Sequence, residues 1–201
     1  MKRKGAFYLL ILVTGLWTTT ACSQDLSRSR AEHLITDSQD FKSPLNMRLL
    51  VGSFWAGPDY YNKPAWLKTL EQNGVLTYRE SGRTSLFQRE AFIDLTPFGK
   101  DESKTWAVLN KDFNSKGMER LSAVLYSIPV AQRRFKQVTG IRLDPGGKGA
   151  TVDYEFVWVP TSEKAFKGLV NPDALSEHAK FELYDDGWRL APKDPRPEWA
   201  R

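Results

Sequence analysis

Apolar and polar residues alternate most regularly between positions 132 and 190. Val152, Tyr154, Phe156 and Trp158 fall on one side of an extended segment and Asp153 and Glu155 on the other, the period of two expected of a half-buried strand. With Gln132 to Leu143 ahead of it and Asp144-Pro145-Gly146-Gly147-Lys148-Gly149 between, the segment Ala150 to Val159 predicts a β-hairpin. A short helix is expected near Ser162 to Leu169. A second hairpin follows, in which Phe181, Leu183, Trp188 and Leu190 share a face across an Asp186-Gly187 turn.

The N-terminal half shows other periods. Ala31, Leu34 and Ile35 make one apolar stripe and predict a helix over 29–37. Pro44 separates it from a strand over Met47 to Gly52. Phe54 to Trp66 mixes aromatics with turn formers and reads as a loop entering a helix, with Pro64 in the first turn, Trp66, Leu67 and Leu70 on one face and Asn73-Gly74 as the stop. Val75 to Arg79 and Ala91 to Leu95 predict two strands joined by a polar loop, Glu80 to Arg89. Beyond Lys100 the pattern weakens, although Trp106, Val108 and Leu109 could anchor a short element, and Met118 to Ile128 fits helix or strand. The fold class expected is α+β, with antiparallel C-terminal hairpins packed against helices.

Two segments resemble known folds. Leu67 to Thr77, followed by Ile93-Asp94-Leu95-Thr96-Pro97-Phe98-Gly99-Lys100, is similar to the second half of a winged helix, a resemblance covering residues 64–100. It implies a helix, a strand, a wing and a closing turn, used here as scaffold: the helix offers only Lys63 and Lys68, too few cations for a DNA interface. Phe181-Glu182-Leu183-Tyr184-Asp185-Asp186-Gly187-Trp188-Arg189-Leu190 resembles the closing hairpin of cystatin-like and nuclear-transport-factor-like domains, within 178–191.

The first residues change the setting. Lys2, Arg3 and Lys4, an apolar stretch from Ala6 to Trp17 and the small-residue patch Thr18-Thr19-Thr20-Ala21 form the three parts of a signal peptide. The apolar stretch is shorter than the roughly 20 residues a spanning helix needs. Thr19-Thr20-Ala21-Cys22 resembles the lipobox of bacterial lipoproteins, with Thr19 where Leu is usual. The resemblance implies cleavage before Cys22, acylation of its thiol with palmitate-type chains, and, from Ser23, an outer-membrane destination facing the periplasm. The organisation expected is a signal peptide over 1–21, a lipidated tether over 22–30, one α+β domain over 31–191 and a surface tail over 192–201. Sub-lobes over 31–115 and 116–191 fit the same pattern, and it leaves open whether they share a core.

Composition then narrows the function. At 41% hydrophobic and 26% charged the 201 residues describe a folded chain, not a disordered one. Cys22 is the sole cysteine, which excludes an intramolecular disulfide. Losing Lys2, Arg3 and Lys4 takes the formal charge of +5 down to +2, too small an excess to indicate nucleic acid as a partner.

There is no Walker loop, no Gly-x-Ser-x-Gly elbow and no His-Glu-x-x-His helix in the sequence. Gly146-Gly147-Lys148-Gly149 sits between strands and reads as a hairpin loop. His33 and His178 have no third ligand at metal spacing. Asp153, Glu155 and Glu182 could present carboxylates on one sheet face, as a glycoside hydrolase requires, or simply solvate that face beside Lys180 and Arg189. Trp55, Tyr60 and Tyr61, flanking Gly57-Pro58, are the candidate partner-binding aromatics. No catalytic residue, cofactor or metal is assigned. The expectation is a membrane-anchored, noncatalytic binding or scaffold module for an envelope protein or glycan, with an envelope polymer hydrolase as the alternative.

Overall fold

The computed structural model describes residues 25–57, 60, 63–85, 88–111 and 122–192. The signal peptide, Cys22, Pro58, Tyr61, Met118 and the tail beyond Pro192 lie outside these residues. What is described is a mixed α+β fold built on one antiparallel sheet of eight strands. They are β1 (Leu45–Ala56), β2 (Leu76–Ser85), β3 (Gln88–Leu95), β4 (Ala107–Asn110), β5 (Ala123–Leu143), β6 (Gly149–Pro160), β7 (Leu175–Tyr184) and β8 (Gly187–Leu190). The order across the sheet is β2-β3-β1-β5-β6-β7-β8, with β4 also paired to β5.

The 21-residue β5 is the spine. Its first part, Ala123 to Ala131, pairs with β1, and its second, Ala131 to Leu143, pairs with β6. Three single-residue bulges interrupt it. Val130 is extra against β1, and Lys136 and Thr139 are extra against β6. Each bulge flips the alternation once, which keeps the apolar side chains on one side. Leu45 and Met47 point the same way on β1 and stand opposite Ala131 and Ile128. Positions 128, 131, 133, 135, 138 and 141 therefore share a face although they are not evenly spaced.

Two apolar clusters lie along that face. The first gathers Leu49, Phe54, Ile93, Ile128 and Val130 from the strands and Leu67, Leu70, Ala165 and Phe166 from the helices α3 (Ala65–Gln72) and α5 (Glu163–Phe166). The second gathers Val138, Ala150, Val152, Tyr154, Phe156, Phe181 and Trp188 under α1 (Arg28–Asp37) and α2 (Gln39–Lys42). The clusters do not follow chain order: the first helices cover the last strands, and α5 returns to α3. There the Asn73 amide donates to the carbonyls of Ala165 (2.9 Å) and Lys167 (3.0 Å).

Local chemistry sets the helix ends. Ser27 caps α1 by accepting from Arg30 N–H (3.1 Å), and Ser38 closes α1 through Ile35 O (2.7 Å) while capping α2 through Phe41 N–H (3.1 Å). Thr96 caps α4 (Pro97–Glu102), with Pro97 in its first turn.

Two expectations are corrected. The aromatic segment after Ser53 is not wholly a loop, because β1 continues to Ala56 in register with Ala91 to Arg89 of β3. Gly52, at φ 114°, takes the left-handed conformation there and shifts the alternation, so Phe54 and Ala56 face the first cluster as Leu49 does. The polar stretch 80–89 is likewise mostly strand. Thr84 and Ser85 pair with Arg89 and Gln88 beyond a register shift after Glu80, and the Arg89–Glu80 ion pair (3.2 Å) ties the strands where little apolar area is available.

Candidate functional site

At Ala131 the spine changes partners. β1 begins at Leu45, opposite Ala131, so the next residues of β5, Gln132 and Arg133, have no β1 neighbour. Here α2 places Phe41, and a cavity of about 350 Å³ is lined by Thr36, Phe41, Lys42, Gln132 and Arg133.

Arg133 is the unusual member. Its side chain is 13% exposed, and its guanidinium carbon lies 5.1 Å from the ring centre of Phe156, 5.2 Å from Trp158 and 5.9 Å from Phe41. Three ring faces thus replace much of the water a cation would hold. One terminal nitrogen donates to the Asp40 carbonyl (3.0 Å) and stands 3.7 Å from the Asp40 carboxylate. The other stands 3.8 Å from Glu177, and Nε is buried without an acceptor among the described residues. The second Glu177 oxygen accepts from the Tyr154 hydroxyl (2.6 Å). Burial, reinforced by that bond, pushes the Tyr154 phenol well above its ordinary range, so it remains a neutral donor.

The geometry suits recognition. A desolvated cation and an aromatic edge border an open cleft, with donors at its rim: the Lys42 ammonium, which also binds Asp37 (3.1 Å), and the Gln132 amide. Sequence reasoning missed this site because Arg133 and Arg134 look alike in a line of text. The signal was present in the hairpin register, which sets Arg133 opposite Trp158 and two positions from Phe135.

The residues singled out in the sequence are scattered. Trp55 lies on β1 opposite Glu90, half-buried, with its indole N–H out of solvent and without an acceptor among the described residues. Glu90 is itself buried and accepts from the Ser81 hydroxyl (2.5 Å). Tyr60 packs edge-on against Phe54 (5.4 Å) and Trp66 (6.0 Å) beside the first cluster. His33 is exposed on α1 and His178 is exposed opposite Asp153, with the sheet between them. No group of three or more His, Cys, Asp or Glu that could hold a metal occurs among the described residues.

Asp153 is bound by Arg142 (3.3 Å) and Glu155 by the Gln137 amide (3.0 Å). These two carboxylates project in parallel from one strand, not toward each other across a substrate. Glu182 pairs opposite Gly149, four positions along the strand from Asp153, or about 13 Å. No helix among the described residues is long and apolar enough to cross a membrane. Comparison with protein-family models, with curated proteins and with solved structures finds no match for this chain.

Proposed function

We propose that the chain is a lipid-anchored envelope protein, facing the periplasm from the outer membrane, whose domain binds a partner without transforming it. One observation carries this reading. Leu26 is buried in the second cluster and Ser27 caps the first helix, so the described part of the fold already includes the residue four positions after Cys22. Cleavage before Cys22 removes nothing from the described domain and leaves it on a leash of at most about 14 Å. Acyl chains there would supply the membrane affinity at about 0.8 kcal/mol per buried CH₂.

The partner in this reading is an envelope glycan or protein that brings polar or anionic groups to the cleft beside Arg133. The segment 64–100, where α3 is followed by the β2–β3 hairpin and α4, serves as a winged-helix-like scaffold, and β7–β8 as a cystatin-like closing hairpin. Nucleic acid is not a partner in it.

The test is mass spectrometry of the mature N-terminus from the membrane fraction, joined to photocrosslinking from position 42 in the same cells. The expected result is an acylated Cys22, release to the soluble periplasm or an uncleaved precursor with Cys22→Ala, and an envelope adduct lost with Arg133→Ala. An unmodified mature Cys22 overturns the anchor, and polymer turnover without an adduct overturns the binding role.

A further inference from the structure

The Arg133 cleft lies near the middle of β5. At the end where β5 runs into β6, three things meet. The β5–β6 loop and the β7–β8 turn are joined there by the Leu183 N–H to Lys148 O bond (2.9 Å). The start of α1 is fastened nearby, because the Arg28 guanidinium donates to the carbonyls of Val138 and Thr139 at the open edge of β5. Leu26 shares the second cluster with Ala150 and Phe181, which stand in one row with Leu190 across β6, β7 and β8.

Leu143 completes that row at its outer end, paired with Ala150. Among the described residues it is the most exposed large hydrophobic, at 56%, with Leu109 at 50% and Tyr184 at 46% next. Tyr184 stands at the same end, on the opposite face, with its hydroxyl bonded to Glu182 (2.7 Å). An exposed leucine at a hairpin tip, with an amphipathic tyrosine at the same end of the sheet on its other face, is side-chain chemistry that suits a lipid interface.

We propose that this end of the sheet is the membrane-facing surface of the anchored domain, with Leu143 as its inserting residue. The proposal rests on the lipoprotein reading, and chain length supports it. Leu26 stands four positions after Cys22, a reach of about 14 Å. Leu143 stands four positions along the strand from Thr139, where α1 is fastened, about 13 Å. An acylated Cys22 on so short a leash brings the lipid surface level with the tip.

Charge does not provide the affinity. Arg142 and Lys148 flank Leu143, but Arg142 is held by Asp153, Arg189 by Asp186, and Asp144 and Asp185 are close by. The acyl chains hold the protein to the bilayer, and the tip fixes its orientation. The Arg133 cleft then stands ten residues of β5 away, about 30 Å from the lipid, where a periplasmic partner can reach it.

The mature chain, residues 22–201, tests this through its sole thiol. Cys22 is coupled to maleimide-bearing phosphatidylethanolamine in phosphatidylglycerol-containing vesicles, and hydrogen exchange is compared with the same chain coupled to a soluble maleimide. Slowed exchange is expected in 143–148 and 184–187 on vesicles, no change at 132–133, and loss of the tip protection in Leu143→Asp, an exposed position where folding survives. Equal exchange at the tip, or protection at the cleft instead, overturns the orientation whatever the cell does to Cys22. An unmodified Cys22 in cells overturns the lipoprotein reading, and with it the membrane role of the tip, even where chemical tethering protects it.

Discussion

Gly99→Ala sets two physical effects against each other. Gly99 is the third residue of α4, where alanine should favour the helix by about 1 kcal/mol. A methyl group at this position would nevertheless stand 1.8 Å from the Val75 carbonyl oxygen and 2.9 Å from its carbon. Backbone atoms cannot turn aside as a flexible side chain can. Restoring an ordinary separation of about 3.5 Å needs the helix to retreat by roughly 1.7 Å. The Thr96 hydroxyl, which donates to Gly74 O (2.5 Å), and the Thr96 N–H, which donates to Val75 O (3.1 Å), hold the helix where it is. Losing both costs about 2 kcal/mol, and loosening the packing over Val75 and Leu76, both fully buried, adds about another 1. The net is a destabilisation of about 2 kcal/mol, opposite in sign to the propensity. Urea unfolding should show a lower midpoint at unchanged slope, while Lys100→Ala on the exposed side of the same helix stays within about 0.5 kcal/mol of the parent. A Gly99→Ala protein as stable as the parent would refute the close approach of α4 to Val75.

Phe41→Ala should cost about 3 kcal/mol, because the buried ring lies 6.1–6.4 Å from Phe135, Tyr154 and Phe156. A loss below about 1 kcal/mol in urea unfolding would mean that α2 is not seated on the second cluster. Tyr78 is pushed up to about 12, first by burial and then by its hydrogen bond to Glu80. The folded state therefore holds this proton more tightly than the unfolded chain, and the associated stability is whole below about pH 10 and lost as pH rises toward 12. Urea midpoints between pH 9 and 12 should fall more steeply for the parent than for Tyr78→Phe. Parallel slopes would remove this phenol from the alkaline unfolding.

Legibility in the sequence followed the range of the interactions. The first helix could be seen because Ala31 and Ile35, both buried, lie one turn apart, and β6 could be seen because its even positions 150–156 all face the second cluster. The end of α3 was legible in Asn73-Gly74, whose cap chemistry is local, whereas Thr96-Pro97, read as part of a closing turn, caps the helix α4. Nothing local says that α1 and α2 cover the last strands, or that the return of α5 to α3 is secured by the Asn73 amide. Trp55 and Phe54 read together as loop aromatics because only the pairing with β3 makes this segment a strand, and the shift at Gly52 then turns Phe54 rather than Trp55 toward the first cluster.

Gln132 to Leu143 reads plainly as a hairpin strand, but the start of β5, up to Ile128, fits helix or strand, and the reason bears on the site. Ile128, Ala131, Phe135 and Val138 are spaced by three, four and three, which is the stripe of an amphipathic helix as much as anything a strand would show. Bulges at Val130, Lys136 and Thr139 resolve the ambiguity by absorbing the odd residues, and each also bends the strand. One continuous strand can then serve two clusters in succession. The handover between them comes at Ala131, where β1 begins and its pairing with β5 stops. A backbone edge left open there must be covered or compensated. Phe41 covers it from α2, and Asp40 and Glu177 balance the cation that β5 turns inward at Arg133. The cleft is therefore a consequence of the topology: it occupies the gap where the spine has left one neighbour and the helices have only partly replaced it.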